Sequence, residues 1–275
     1  MFLKSHEPMS EPALESVDIL SVRIHCVTMH RTLALLESMV RAGGSHHVVT
    51  VNPEFIMLAR NLETFRAVLN GADLAVPDGV GILLGARLLG RRIRERVTGV
   101  DIIEQFMPRA AAAGFRVYLL GAGPGVAERA AAVLRRASPG LCIAGTYAGS
   151  PDPSEEEDIC RRINDAKPDI LLVAYGSPNQ ELWIARTRHR LNVAVSIGVG
   201  GSFDFIAGVV QRAPAWMRGV GLEWFYRLMD QPQRWRRMLA LPHFAARVTV
   251  QRLGGVRARR GDSLGGIGSR AGANL

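Results

Sequence analysis

The sequence predicts an α/β fold built on a mostly parallel sheet flanked by helices, and three observations carry that expectation. Short runs rich in Val, Ile and Leu alternate with helical patterns from about Val17 to Val199, as strand and helix units of a parallel sheet do. Past Gly208 the character changes to tryptophans and arginines on helical patterns, which marks an appendage. The charge changes with it. The whole chain carries +9, and the stretch 209–260 holds eleven arginines against Glu223 and Asp230, so the remainder is neutral.

The elements follow in order. Residues 1–16 carry Lys4, Glu7, Glu11 and Glu15 with no apolar block and are expected to be flexible. Strands are expected at 47–51, 72–76, 116–120, 141–146, 170–174 and 193–197. Helices are expected at 53–69, 99–113, 125–137, 154–166 and 179–189, with Asn52, Asp78 and a Ser154/Glu157 capping box at helix starts. This α/β catalytic domain is taken as 17–208. Pro214 and Pro232 are read as opening two further helices, 215–229 and 233–252, within an appendage of 209–252. The stretch 253–275 contains seven glycines and no apolar periodicity, and is expected to be a disordered tail.

Composition excludes several classes. No run approaches the roughly 20 apolar residues of a membrane-spanning helix, and no secretory signal is visible, so a cytoplasmic location is expected. Cys26, Cys142 and Cys160 lack CxxC spacing and read as small core residues. His46 and His47 alternate faces of a strand, and no Asp-x-Asp triplet or ligand-spaced His cluster occurs, so neither a metal nor another cofactor is expected.

Ligands of open α/β sheets bind at the carboxyl ends of the strands, which selects the candidate site residues. Asp78 follows one strand directly and suits a general base, although by itself the N-cap is the favoured reading. Asn52, ahead of Pro53, has the same two readings. The turn containing Gly121 and Gly123 departs from a dinucleotide fingerprint at Val126, which disfavours a dehydrogenase. Its glycines serve either a phosphate or a tight turn. Gly200, Gly201 and Asp204 form a second backbone-exposing turn. Gly176, Gln180 and Glu181 form a third at a helix start. With no metal, a leaving diphosphate needs helix N-termini and arginines, for which Arg96, Arg212, Arg218, Arg227, Arg234 and Arg237 are available. Trp216, Trp224 and Trp235 interleave with those arginines, as side chains at an anionic bilayer interface do. The alternative class, a basic nucleic-acid-binding module, would not need them.

Together the motifs resemble the WecG/TagA/CpsF family, glycosyltransferase family 26. The resemblance rests on Thr50-Val51-Asn52-Pro53-Glu54, Pro77-Asp78-Gly79-Val80-Gly81, Arg96-Val97-Thr98-Gly99, Gly176-Ser177-Pro178-Asn179-Gln180-Glu181, Gly198-Val199-Gly200-Gly201, Phe203-Asp204, Arg212-Ala213-Pro214 and the run from Gly221 to Arg227. Val51 and Ser177 depart from the family's commoner proline and alanine without removing a chemical group. The resemblance implies a Rossmann-like fold and an inverting, metal-independent transferase. Its substrates would be a UDP-sugar donor and a polyprenyl-diphosphate-linked glycan acceptor. It further implies that Asp78 is the catalytic base, that Thr50 and Asn52 lie in the pocket, and that Gln180 helps hold the nucleotide sugar. The appendage would close over the pocket and touch the inner face of the cytoplasmic membrane. That ranks Asp78 and Asn52 as functional first and capping second. A homo-oligomer whose assembly changes at the membrane also fits, and nucleic acid is not expected as a partner.

Overall fold

The computed structural model describes residues 14–214, 216–217, 223–230 and 240–265. An antiparallel hairpin of β1 (Ser16–Ile19) and β2 (Val22–His25) leads into α1 (Met29–Ala42). The chain then runs β3 (His46–Val51), α2 (Pro53–Asn61), α3 (Glu63–Asn70), β4 (Leu74–Pro77), α4 (Val80–Leu88), α5 (Gly99–Ala113), β5 (Arg116–Gly121) and α6 (Val126–Ala137). It continues through β6 (Cys142–Tyr147), a 3-10 turn (Pro153–Glu155), α7 (Glu156–Ala166), β7 (Ile170–Ala174), α8 (Asn179–Thr187), β8 (Val195–Gly198) and α9 (Ser202–Ile206). The last described helices are α10 (Glu223–Asp230) and α11 (Ala240–Gly265).

Six strands form one parallel sheet in the order β4-β3-β8-β7-β5-β6. Because successive strand side chains point to opposite faces, each strand feeds two cores. Val48, Val117, Leu119, Ile170 and Leu172 pack with α1, α5 and α6 on one face. On the other face, Val49 and Val51 join the hairpin, α2 and α4, while Tyr118, Leu120, Leu171 and Val173 join α7 and α8. Helices on both faces explain why these strands read as near-continuous apolar runs.

The expected strands hold to within about two residues, and 99–113 forms the helix expected of it. Other expectations are corrected. Helix 53–69 is two helices, because Leu62 turns extended (φ −124, ψ 96). That break lets Phe55 and Phe65 meet edge to face, with ring centroids 5.5 Å apart. Ser154 is not a cap. Asp152 accepts from the Ser154 amide (2.8 Å) and hydroxyl (2.6 Å) and starts the 3-10 turn instead. The ordered chain reaches back into the N-terminal segment expected to be flexible, where the Glu15 carbonyl accepts from the Cys26 amide at 2.7 Å. Of the cysteines only Cys160 is buried; Cys26 and Cys142 are half-buried.

In the appendage, the first expected helix is described only at Trp216–Met217 and over α10. Residues 231–239, with Arg234, Trp235 and Arg237, lie outside the described residues, as do Arg218 and the stretch 266–275. α11 is described from Ala240, inside the second expected helix, and runs into the stretch expected to be a tail. Its first half is anchored: Phe244 and Val248 are buried, and Gln251 accepts from the Leu20 amide (2.9 Å) and donates to the Asp18 carbonyl (3.0 Å). A helix nucleated on such packing propagates past Gly254 at a cost of about 1 kcal/mol per glycine. Gly85 of α4 allows the approach, since a Cβ there would sit 2.9 Å from the Phe244 ring.

Candidate active site

The carboxyl ends of β4, β3 and β8, which are neighbours in the sheet, open into a cavity of about 230 Å³. Asn52 and Asp78 both line it. Each stands one residue beyond its strand, and the Asp78 amide donates to the Val51 carbonyl at 2.8 Å, so backbone pairing sets their relative position. Asn52 also caps α2 by accepting from the Phe55 amide at 3.0 Å, so the cap and a place on the cavity wall coexist. Asp78 is different. The N-cap position of α4 is held by Gly79, at φ +102 with no side-chain cap bond, so Asp78 stands one residue before it.

Three helices begin at this cavity: α2 at Pro53 and Glu54, α4 at Gly79, Val80 and Gly81, and α5 at Thr98, Gly99 and Val100. Their dipoles place positive partial charge along the wall, chemistry that suits an anionic group. Close packing brings them there. The Val97 amide donates to the Pro77 carbonyl (2.8 Å), and a Cβ on Gly81 would lie 2.6 Å from Pro53.

Arg96 also lines the cavity, and its guanidinium binds Glu223 at 3.0 Å. Glu223 lies 3.5 Å from Arg212, which reaches Asp101 at 2.5 Å and Glu104 at 3.2 Å. Burial pushes the Asp101 carboxyl up, but hydrogen bonds from Thr98 and Arg212 outweigh it and hold the group below the usual carboxylate range. Thr98 donates to Asp101 at 2.7 Å and accepts from its amide at 3.2 Å. This network ties α10 to the rim, and with Trp224, Ala240 and Leu241 the appendage supplies part of the cavity wall. Thr98 and Glu223 stand in the sequence only as members of the resemblance motifs, without a role of their own, and Asp101 stands outside them. Thr-x-x-Asp at a helix start and a rare acid inside an arginine block were the available signals.

The chain belongs to the WecG/TagA/CpsF glycosyltransferase family. The model of that family, described as "Glycosyl transferase WecG/TagA/CpsF family", matches residues 17–258. Three similar relatives are each named N-acetylglucosaminyldiphosphoundecaprenol N-acetyl-beta-D-mannosaminyltransferase. The relative from Bacillus spizizenii is 37% identical over 201 residues, 73% of this chain and 77% of the relative. The one from Bacillus subtilis is 37% identical over 201 residues, 73% and 78%. The one from Staphylococcus aureus is 30% identical over 234 residues, 84% and 91%. The chain is thus a glycosyltransferase, an enzyme of the hexosyl-transferring type.

Not every expected site residue of the glycosyltransferase reaches the cavity. Gly79, Arg96 and Gly201 line it; Arg212 stands behind the rim. Thr50 is buried and donates to the Gly198 carbonyl at 3.2 Å, stitching β3 to β8. Gln180 and Glu181 are 1% and 0% exposed. Gln180 accepts from the amides of Gly176 (3.0 Å) and Gly200 (2.9 Å) and donates to Glu181 at 2.7 Å. Burial pushes the Glu181 carboxyl up to about 8. Gly121 is buried against Ala174 at φ +101, and Gly123 is exposed, both at the β5 end of the sheet. Asp204, on α9, accepts through its carbonyl from Val209 (2.9 Å) and Val210 (3.2 Å). Arg227 lies on α10 with its side chain outside the described set, and Arg234 is outside it altogether.

Proposed function

We propose that the chain is an inverting, metal-independent transferase that moves a sugar from a UDP-sugar to a polyprenyl-diphosphate-linked acceptor. The carrying observation is the joint placement of Asp78, Asn52 and three helix N-termini around one cavity. Asp78 accepts the proton of the acceptor hydroxyl. That oxygen attacks the anomeric carbon, the bond to UDP breaks, and the configuration inverts in one displacement. The diphosphate leaves toward the helix amides and Arg96, which stabilise the charge it gains. Arg227 and Arg234 are proposed as further partners of that charge, and Asn52 orients the reacting sugar.

Among N-acetylmannosamine, its uronic acid, glucose and glucuronic acid, the relatives' names favour N-acetylmannosamine as the donor sugar and a diphosphate-linked N-acetylglucosamine as acceptor. No helix among the described residues is long and apolar enough to cross a membrane. Peripheral binding at the inner face of the cytoplasmic membrane through the appendage fits Trp216, Trp224, Phe225 and Met229, all exposed. The test is a panel of UDP-sugars assayed for acceptor-dependent UDP release in the presence of EDTA. Release with UDP-N-acetylmannosamine is the expected result. Release that requires a divalent cation, or none with any UDP-sugar, overturns the reading.

A further inference from the structure

The small net charge of the catalytic domain, +2, hides a second basic block. α4 and the loop after it contain Arg87, Arg91, Arg92 and Arg94, with no acid between Gly79 and Arg94. All four are exposed, and none joins an ion pair among the described residues. One helical turn apart on α4, Leu84 and Leu88 are 56% and 40% exposed, on the side away from buried Ile82 and Ala86. α11 repeats the pattern. Its residues 240–254 contain no acid, Arg247 and Arg252 are exposed, and Val250 and Leu253 project away from buried Phe244 and Val248. The Arg252 guanidinium donates to the Leu88 carbonyl, so the two exposed faces adjoin. Both helices also begin at the cavity, through Val80 and Gly81 and through Ala240 and Leu241.

We propose that the α4–α11 face is a docking surface for an anionic lipid bilayer, additional to the tryptophans of the appendage and built largely on the catalytic domain. Arginines at the rim of an aliphatic strip pair with lipid phosphates while their stems lie along acyl chains. The aliphatic strip decides between lipid and nucleic acid. A phosphodiester backbone offers Leu84, Leu88, Val250 and Leu253 nothing to bury against, whereas the headgroup boundary does. Adjacency to the cavity has a purpose only on the lipid-linked acceptor reading, and in that respect the inference rests on it. The surface itself is tested independently.

The experiment uses the full chain with phosphatidylcholine vesicles prepared with and without phosphatidylglycerol, read by co-sedimentation. The chain is expected to bind the phosphatidylglycerol vesicles. Each basic residue near an anionic leaflet strengthens binding about fivefold, so Arg91→Gln/Arg92→Gln/Arg94→Gln should weaken it about a hundredfold. Leu84→Ser/Leu88→Ser should weaken binding even in high salt, where charge attraction is screened. Thermal unfolding verifies that both variants fold. Both are also expected to keep wild-type turnover on a short-chain, water-soluble diphosphate-linked acceptor, and its loss would assign these residues to the cavity and overturn the docking role. Wild-type vesicle binding in both folded variants overturns the proposal, as does loss of duplex DNA binding with vesicle binding intact. A wild-type chain inert on the soluble acceptor would end the transferase reading and leave the vesicle result standing.

Discussion

The strand ends of β3 and β4 and the strand end of β7 carry the same kind of sequence, polar residues and glycines at a strand-to-helix turn, yet the fold uses them oppositely. Asn52 and Asp78 border a cavity. Gln180 and Glu181 lie beneath the Gly198–Gly200 turn, close enough that a Cβ on Gly198 would sit 2.3 Å from the Glu181 carboxyl and 2.7 Å from the Gln180 amide. Polar groups that follow a strand therefore divide into those that border the cavity and those that hold backbone behind it. Burial and backbone partners, not residue type, separate the two.

Substitution should separate them in the same way. Asp78→Asn keeps the shape of the side chain and removes the base, so turnover should fall about 10² to 10⁴-fold. UDP affinity and melting temperature should stay at wild-type values, as calorimetry and thermal unfolding would show. Full turnover in that variant would sink the assignment of the base. Gln180→Ala should do the reverse at first order. Two amides, Gly176 and Gly200, lose their acceptor, at roughly 1 to 3 kcal/mol for each one left buried and unpaired. Chemical denaturation should register that loss. A variant of undiminished stability that binds UDP poorly would return Gln180 to the ligand side and break the comparison.

Much of this was legible in advance, and the exceptions have physical causes. The six sheet strands show as apolar runs because both faces of the sheet are covered, and Asp78 stands out as a carboxylate directly after one of them. The β1–β2 hairpin gave no turn signal, because Leu20 and Ser21 occupy positive φ (50 and 66) where glycine or asparagine usually stands. Gln251, distant in sequence, helps hold that turn. α4 was obscured by Gly81 and Gly85, which are present because Pro53 and Phe244 need the space. The buried state of Gln180 and Glu181 was not readable at all, since it depends on β8 lying beside β7 and on the Gly198–Gly200 turn closing over them.

A smaller effect joins the two halves of the chain. Arg96 and Glu223 are 18% and 15% exposed, so their pairing is partly desolvated, and it is a direct tie between the cavity rim and α10. A double-mutant cycle with Arg96→Ala and Glu223→Ala should give a coupling of about 1 kcal/mol in stability. Zero coupling would mean that α10 is held by other contacts, and the appendage's share of the cavity wall would need another anchor.

The smallest effect at acidic pH is expected at Glu181, and its pH dependence makes it informative. Burial raises its carboxyl from the ordinary 4.5 to about 8, with the Gln180 hydrogen bond opposing only in part, so at pH 7 the folded protein holds a proton there that the unfolded chain has released. Glu181→Gln mimics that neutral acid in shape and should change stability little at pH 5. The stability that the wild type owes to this proton is fully present below about pH 4.5 and is lost progressively as pH rises toward about 8, because the folded state alone must then surrender it. The variant lacks this slope, so denaturation series between mildly acidic and mildly alkaline pH should diverge, with the variant increasingly the more stable of the two. Parallel series would mean that Glu181 is already ionised in the folded protein, and the buried clamp beneath the Gly198–Gly200 turn would have to be redrawn around a charge.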